Sequence, residues 1–203
     1  MIRQVNSEQS IIDRWTFGGG SAMMVQIGHR ESHDVDIFLP DAQLLPFLDP
    51  QKRDFDFEIL PSDYTGDGTT FLKLAFEIGE IDFIVAQSLT SSPTTRTTVA
   101  GEAVSLETIP EIIAKKIYHR GASIMPRDIF DIAAGRERHA DAIIRELRSY
   151  PDEFARTLAA IERQNPEFVN ATIAQLSIKD PYIAIARTAL EKAKEILKAV
   201  QAL

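Results

Sequence analysis

The spacing of apolar residues changes near residue 100, and this change limits the fold more than any other feature of the sequence. Before it, the segments 34–39, 55–60, 71–78 and 81–86 have the length and the aromatic and β-branched content of strands. After it, apolar residues recur at helical spacing almost to the end of the chain. The pattern predicts an α+β protein in which a mixed sheet with helices is followed by a helical C-terminal region. We expect one domain over 1–100 and a second over 101–203, the two sharing one cleft.

Local signals predict further elements. A short helix is expected over 8–16, and a buried one follows the glycines at 18–20. The Ser, Thr and Pro residues of 88–98 favour a surface loop. Thr108, Pro110 and Glu111 form a helix start with a capping residue, and Pro126 begins a second helix. Amphipathic helical segments then cover 137–149, 151–164, 167–178 and 181–201.

Composition narrows the class of protein. The chain of 203 residues has no cysteine, which excludes disulfides and thiolate zinc sites and fits a reducing cytoplasm. We expect no membrane span and no signal segment, because no apolar run approaches about 20 residues and the N-terminus is polar. The net charge is −8; residues 1–135 carry −9 and residues 136–203 carry +1. An acidic first part argues against strong nonspecific binding to nucleic acid and suits clustered carboxylates that bind a cation. Arginines in the second part could still contact a polyanion.

The most informative motif is Gly19-Gly20-Ser21, followed after twelve residues by Asp34-Val35-Asp36. Strand side chains alternate between faces, so Asp34 and Asp36 are expected to project together. Two adjacent carboxylates repel each other unless a cation lies between them, and Mg²⁺ prefers such oxygen ligands. Ser21 starts the predicted helix, and free N–H groups at a helix N-terminus favour a phosphate. The motif therefore predicts a phosphate site beside a magnesium site.

A third carboxylate is expected on a neighbouring strand. Asp82 stands alone in the apolar segment 81–86, which is an unusual position for an acid unless it faces a site. Glu77 is the alternative, although it could equally face solvent. His29 and His33 flank the Asp-x-Asp motif, but magnesium rarely uses histidine, so we interpret them as loop residues.

Each piece of this pattern also has an ordinary explanation. A lone Gly-Gly-Ser is usually a turn, and a lone Asp-x-Asp is usually a surface pair. Farther along, Lys116 and Arg120 share a helix face, as do Asp128 and Asp131, and such pairs are mostly exposed ion pairs. The combination of the motif with strand–helix–strand patterning and a later acid nevertheless favours a catalytic site.

The sequence resembles the nucleotidyltransferases of the AbiEii/AbiGii toxin family, within the DNA polymerase β-like nucleotidyltransferase superfamily. The resemblance rests on Gly19-Gly20-Ser21 and on Arg30-x-Ser32-x-Asp34-Val35-Asp36-Ile37. A second block agrees with it and comprises Lys116 in the helix 111–117, then Arg120, then Arg127-Asp128-x-x-Asp131. The similarity covers roughly residues 16–135.

The resemblance implies a minimal nucleotidyltransferase sheet with a helical C-terminal region. It implies that Asp34 and Asp36 bind magnesium, with two ions expected, and that Lys116 neutralises phosphate charge while Asp128 acts beside the nucleotide or as a base. Asp82 is expected as the third metal ligand because of its position in an apolar strand. The expected nucleotide- and phosphate-binding residues are Gly19, Gly20, Ser21, Arg30 and Ser32. The expected activity is transfer of a nucleotide from a nucleoside triphosphate such as ATP to an acceptor hydroxyl.

Several acceptors and one different class of function stay open. The resemblance implies a macromolecular acceptor, either tRNA or a protein, in a toxin–antitoxin or phage-defence setting with an antitoxin partner. An alternative is an enzyme that modifies a small molecule such as an antibiotic. A third is an inactive nucleotide- or partner-binding module, which an Asp82 that points away from Asp34 would favour.

Overall fold

The computed structural model describes residues 1–7 and 9–201. Its residues divide into two units, each made of several chain segments. The sheet unit comprises Met1–Ala22, His33–Ser88 and Thr94–Glu107. The helical unit comprises Met23–Ser32, Leu89–Pro93 and the chain from Thr108 onwards. The sequence-based division at residue 100, with its shared cleft, stays a prediction.

The sheet unit is built around one mixed sheet of seven strands in the order β3-β4-β5-β2-β1-β7-β6. Two neighbouring pairs, β1 with β7 and β2 with β5, are parallel, and the others are antiparallel. This sheet, with the helices that follow it, confirms the predicted α+β class. The strands are β1 Thr16–Gly18, β2 Val35–Leu39, β3 Asp63–Gly66, β4 Phe71–Phe76, β5 Gly79–Val85, β6 Thr94–Val99 and β7 Glu102–Glu107.

Apolar and polar side chains alternate along the central strands, so one face of the sheet packs on the core and the other face is polar. Ile37 and Leu39 of β2 are buried, as is Phe83 of β5. Asp36 and Asp82 lie on the opposite face of the same strands, since neighbouring residues of a strand point to opposite sides. The apolar residues thus fix which face carries the acids.

The helices account for most of the remaining chain. They are α1 Ile2–Val5, α2 Gly19–Ile27, α3 Ile109–Arg120, α4 Pro126–Leu147, α5 Pro151–Glu162, α6 Pro166–Ile173, α7 Ile183–Ala186 and α8 Ala189–Gln201. Short 3₁₀ helices cover Ala42–Phe47, Gly121–Ser123 and Asp180–Tyr182. None of the helices in the described residues is long and apolar enough to cross a membrane.

Two predicted helix starts in the helical unit, at Thr108 and at Pro126, are confirmed. Thr108 caps α3, and its side chain accepts a hydrogen bond from the Glu111 amide. Pro126 is the first residue of α4, which continues through a kink at His139 and so includes most of the segment predicted as a separate helix over 137–149. The predicted helix over 181–201 is divided into α7 and α8. In the helical unit, α4 packs against α3 and α8.

The predicted helix over 8–16 is wrong for residues 9–16, whereas residue 8 lies outside the described residues. The chain instead bends and leads in an extended form into β1. The Asn6 side chain explains this difference. It accepts hydrogen bonds from the Ile11 and Ile12 amides and donates one to the Ile12 carbonyl, so it replaces the bonds that a helix would make.

The predicted strand over 55–60 is also wrong. The Gln4 side chain bonds both the amide and the carbonyl of Asp56, which removes these groups from any sheet ladder. The alternating Phe55 and Phe57 contact each other, with ring centroids 5.6 Å apart. The edge strand β3 begins only at Asp63.

The predicted loop over 88–98 is correct only in its first part. Residues from Thr94 onwards form β6, which pairs with β7, a strand that the sequence reasoning missed. Threonine has a high strand propensity, and a mostly exposed edge strand can consist of polar residues. Ser and Thr content alone therefore does not distinguish a loop from such an edge.

Candidate active site

Asp36 and Asp82 are direct neighbours across the parallel pair of β2 and β5. Neighbouring strands lie about 4.8 Å apart, so the two carboxylates project from adjacent positions on one face of the sheet. Oδ1 of Asp82 is buried and accepts no hydrogen bond from any residue that the structure describes. A buried carboxylate oxygen without a donor is costly, and a bound cation would satisfy it.

The surroundings of Asp82 hold its pKa above the ordinary range. Burial raises the pKa, and the negative charges of Asp36 and Glu80 raise it further. The ammonium of Lys73 acts in the opposite direction but does not cancel these effects. The site thus has more negative charge than its own lysine neutralises, which suits a divalent cation.

Gly19 lies directly against the Asp36 carboxylate. A Cβ at this position would come within 1.7 Å of Oδ2 of Asp36, and the backbone has a φ of +68°. Glycine is therefore required here both by the close approach and by the left-handed conformation. Gly19 and Gly20 form the first turn of α2 and are half-buried. This turn is thus adjacent to Asp36, as the predicted phosphate site requires.

Ser21 connects this turn to the segment before β2. Its buried hydroxyl donates a hydrogen bond to the main-chain carbonyl of Asp34. Because a hydroxyl has one proton, Ser21 could donate to a phosphate only by releasing this bond. Its contact with the triphosphate stays a prediction.

Asp34 precedes β2, and its side chain contacts the start of β5. Its Oδ1 accepts a hydrogen bond of 3.3 Å from the Glu80 amide at the start of β5. Within residues 1–7 and 9–201, no three His, Cys, Asp or Glu side chains are grouped closely enough to hold a metal ion. Metal binding by all of Asp34, Asp36 and Asp82 therefore stays a prediction. The pair of Asp36 and Asp82 still fits Mg²⁺, which usually takes one or two carboxylates together with substrate phosphates.

Of the two candidates for the third carboxylate, the geometry favours Asp82. Glu77 is exposed in the turn between β4, which ends at Phe76, and β5, which begins at Gly79. Its position in the sheet is thus different from that of Asp82, which lies opposite Asp36.

Sequence reasoning missed two residues next to this set. Lys73 of β4 pairs in register with Asp82, and its Nζ lies 3.5 Å from Oδ2. Glu107 ends β7, is buried, and accepts a hydrogen bond of 2.6 Å from the Thr16 hydroxyl. A Cβ on Gly18 would come within 2.3 Å of Oε2 of Glu107, so this glycine makes room for the carboxylate. The signal for Lys73 was its isolation among apolar residues of β4.

The second predicted block forms a buried ionic network around Asp131 in the helical unit. Arg30 makes two bonds to this carboxylate, of 2.8 and 3.1 Å, and His29 Nε2 lies 2.9 Å from Oδ1. Lys116 Nζ lies 3.0 Å from Asp131 and 2.6 Å from Asp128. His29 follows α2 in a loop, as predicted, but its side chain is completely buried and stacks on Phe130.

This network gives structural partners to residues that were predicted to bind the nucleotide. Asp128 is buried and also accepts a hydrogen bond from the Met125 amide at the start of α4. A phosphate contact of Arg30 or Lys116 would compete with these ion pairs. The roles of Arg30, Lys116 and Asp128 at the nucleotide stay predictions, as does that of the half-buried Ser32.

The network controls the protonation of Asp131. Burial alone would raise the pKa of this carboxyl, but the charge of Lys116 and the bonds from His29 and Arg30 lower it well below the ordinary value. Asp131 is therefore ionised at neutral pH and acts as the common anion for the surrounding cations.

Several solved structures are similar to this chain. A candidate nucleotidyltransferase of H. pylori shares 14% identity over 93% of this chain and 86% of its own, with a TM-score of 0.49. The JHP933 protein of Helicobacter pylori shares 13% over 93% and 84%, with a TM-score of 0.47. The CD-NTase CdnG of Bradyrhizobium diazoefficiens, in complex with GTP, shares 13% over 94% and 77%, with a TM-score of 0.32.

Sequence comparison gives the family. No curated protein matches the chain. The model of the family described as "Nucleotidyl transferase AbiEii toxin, Type IV TA system" matches residues 2–198, nearly the whole chain. The resemblance found in the motifs is thereby confirmed, and the chain belongs to the AbiEii toxin family of nucleotidyltransferases.

Proposed function

We propose that this enzyme transfers a nucleoside monophosphate from a nucleoside triphosphate to a hydroxyl of tRNA in a magnesium-dependent reaction. The observation that carries this proposal is the pairing of Asp36 with Asp82 on adjacent parallel strands, with a buried Asp82 oxygen that accepts no hydrogen bond within the described chain. Carboxylate oxygens in this arrangement are suitable ligands for Mg²⁺.

Asp36 and Asp82, with Asp34 beside them, would hold two magnesium ions. The bound metal supplies neutralisation of phosphate charge and activation of the attacking oxygen. Gly19 and Gly20 contribute backbone N–H groups at the N-terminus of α2, where an anionic phosphate is favoured. Ser21 would join them once its bond to the Asp34 carbonyl is released.

In the reaction, the acceptor hydroxyl oxygen forms a bond to the α-phosphorus. The bond from the α-phosphorus to the oxygen that bridges to the β-phosphorus breaks, and pyrophosphate leaves. Asp82 would orient the hydroxyl and accept its proton as the new bond forms. The protein contributes mainly positioning and charge, as is usual in phosphoryl transfer.

The choice of tRNA and of a toxin–antitoxin setting rests on membership of the AbiEii family. An antitoxin is accordingly proposed as a partner. The near-neutral second part of the sequence, with its arginines, is more compatible with RNA than the acidic first part.

The test is incubation of the full chain with each α-labelled nucleoside triphosphate, magnesium and total RNA. The Asp36→Asn variant removes a charge from the proposed site, and Asp54→Asn makes the same change at an exposed position of the sheet unit. We expect the native protein and D54N to label tRNA-sized RNA, and D36N to lose at least about a hundredfold in rate because charge stabilisation at the phosphates is lost.

Each alternative has a distinct outcome. Equal labelling by D36N and the native protein would refute the assignment of Asp36. Label in small molecules but not in RNA would indicate a small-molecule acceptor. Magnesium-dependent triphosphate binding without any transfer would indicate an inactive binding module.

A further inference from the structure

Lys73, Asp82 and Asp36 stand in one row across three neighbouring strands. Lys73 of β4 pairs in register with Asp82 of β5, and Asp82 pairs with Asp36 of β2. Residues paired in this way share a face of the sheet, so an ammonium group and two carboxylates occupy adjacent positions.

Lys73 contacts two carboxylates of the neighbouring strand β5. Its Nζ lies 3.5 Å from Oδ2 of Asp82 and also bonds the carboxylate of Glu80. Glu80 and Asp82 are two residues apart in β5 and therefore project from the same face. A lysine side chain carries a positive charge at neutral pH, so Lys73 is an ammonium group placed between two carboxylates.

The two oxygens of Asp82 thus differ. Oδ2 faces Lys73, whereas Oδ1 is buried and accepts no hydrogen bond within residues 1–7 and 9–201. A divalent cation at Asp82 would lie within a few ångströms of the ammonium group, and like charges at that distance repel strongly in a partly buried site.

We propose that Lys73 is the resident counter-ion of Asp82 in the metal-free enzyme, and that a divalent cation displaces it towards Glu80. The inference rests on the proposed function, since it assumes that Asp82 is a metal ligand. Glu80 makes the exchange feasible because Lys73 already bonds it and need only give up Asp82.

The proposed exchange couples the metal to the substrate. Lys73 lowers the affinity of the site for a free cation, whereas a cation that arrives with a triphosphate brings negative charge that offsets the repulsion. The lysine therefore favours binding of the metal–triphosphate complex over binding of the metal alone.

The test measures Mn²⁺ binding to the full chain without nucleotide, by electron paramagnetic resonance of the free ion. Lys73→Met removes the ammonium group and keeps an unbranched side chain. Lys52→Met makes the same charge change at an exposed lysine of the sheet unit, and Lys73→Arg keeps the charge. We expect K73M to bind Mn²⁺ about three- to tenfold more tightly than the native protein, and K52M and K73R to stay within about twofold of it.

Asp82→Asn distinguishes failure of the proposed metal site from failure of the proposed role of Lys73. An unchanged or weaker affinity in K73M, with D82N clearly weaker than the native protein, would overturn the role of Lys73 and leave the metal site intact. Equal Mn²⁺ binding by D82N and the native protein would overturn both. An equal gain in K52M and K73M would also overturn it, because the effect would then be one of net charge.

Discussion

At Gly19, the backbone turns from β1 into α2 with a φ of +68°, and the Asp36 carboxylate occupies the space that a side chain would need. The same residue therefore determines the course of the chain and the position of a proposed metal ligand. Its role is separable from that of other glycines because several of them share the left-handed conformation without the close contact.

Gly19→Ala should consequently impair both stability and activity. The left-handed conformation costs about 1–2 kcal/mol for alanine, and the collision with Asp36 adds to it and moves the carboxylate. We expect a lower free energy of unfolding in urea and a loss of nucleotidyl transfer of at least about a hundredfold. The matched control is Gly68→Ala, since Gly68 has a φ of +73° and nothing lies within 4 Å of its added Cβ.

G68A should lose only the free energy of unfolding that the left-handed conformation costs, and it should keep its activity. If G19A were as active as G68A, the contact with Asp36 would have no part in catalysis. If either variant unfolds at room temperature, its transfer rate would be measured at a lower temperature and divided by the fraction of protein that is folded.

Single residues of the site were predictable to different degrees. The common face of Asp36 and Asp82 depends on strand alternation, which the sequence displays directly. The direct opposition of these two acids and the contact of Lys73 with Asp82 depend on the registers of β2 and β4 against β5, which alternation does not determine. A lone lysine in a strand is ordinarily a solvent-facing residue, so the isolation of Lys73 among apolar residues was too weak a signal to place it at the site.

At the level of elements, the Asp131 carboxylate connects α4, α3 and the loop after α2 within the helical unit. Arg30 approaches it with two bonds, and Lys116 lies between it and Asp128. Removal of one member of a buried ionic group leaves the others buried without compensation, which is more damaging than loss of an exposed pair.

Asp131→Asn should destabilise the protein by about 3–5 kcal/mol at pH 7, measured by urea unfolding. The pKa of Asp131 is below its ordinary value in the folded chain. Its stabilising contribution is therefore complete above the ordinary pKa and is lost as the pH falls through the lowered pKa. The difference between the native protein and D131N should accordingly decrease below about pH 4.

Asp141→Asn provides the control, because Asp141 is exposed on the same helix. It should change the free energy of unfolding by no more than about 0.5 kcal/mol. A D131N variant as stable as D141N, or a difference independent of pH down to pH 2, would contradict the proposed function of Asp131 as the common anion.

Elements with their own start signals were predictable, and elements defined by distant partners were not. Thr108 and Pro126 mark α3 and α4 within a few residues of sequence. By contrast, the helix expected over 8–16 does not form, because the Asn6 side chain bonds the amides of Ile11 and Ile12. The strand expected over 55–60 does not form either, because Asp56 is bonded by the side chain of Gln4, which is 52 residues earlier in the chain. Side-chain bonds of this kind have no periodic signature.

At the scale of the whole molecule, the two units consist of alternating chain segments. A hydrophobic pattern that changes once, near residue 100, can suggest a single division of the chain but not a unit assembled from separate segments. The fold class was nevertheless predictable, because it depends only on whether apolar residues recur at strand or helix spacing, and in what order the two spacings follow along the chain.

The net charge of −8 leads to a prediction for RNA. Nonspecific binding depends on cationic groups that release counter-ions from the phosphates, and an acidic chain supplies few of them. We expect a dissociation constant weaker than about 10⁻⁴ M for a labelled random RNA at physiological salt, measured by fluorescence anisotropy. A tRNA acceptor would then be recognised through a few local contacts near the reacting hydroxyl.

The charge itself can be varied to test this reasoning. Replacement of Asp13 and Asp54, two exposed acids of the sheet unit, by lysine shifts the net charge by about +4 and should tighten random RNA binding and steepen its salt dependence. Transfer to tRNA should change much less, because it depends on the site and not on the general surface. Tight, strongly salt-dependent binding by the native protein, with a dissociation constant below about 10⁻⁶ M, would contradict the prediction and would indicate a basic RNA surface that overrides the net charge.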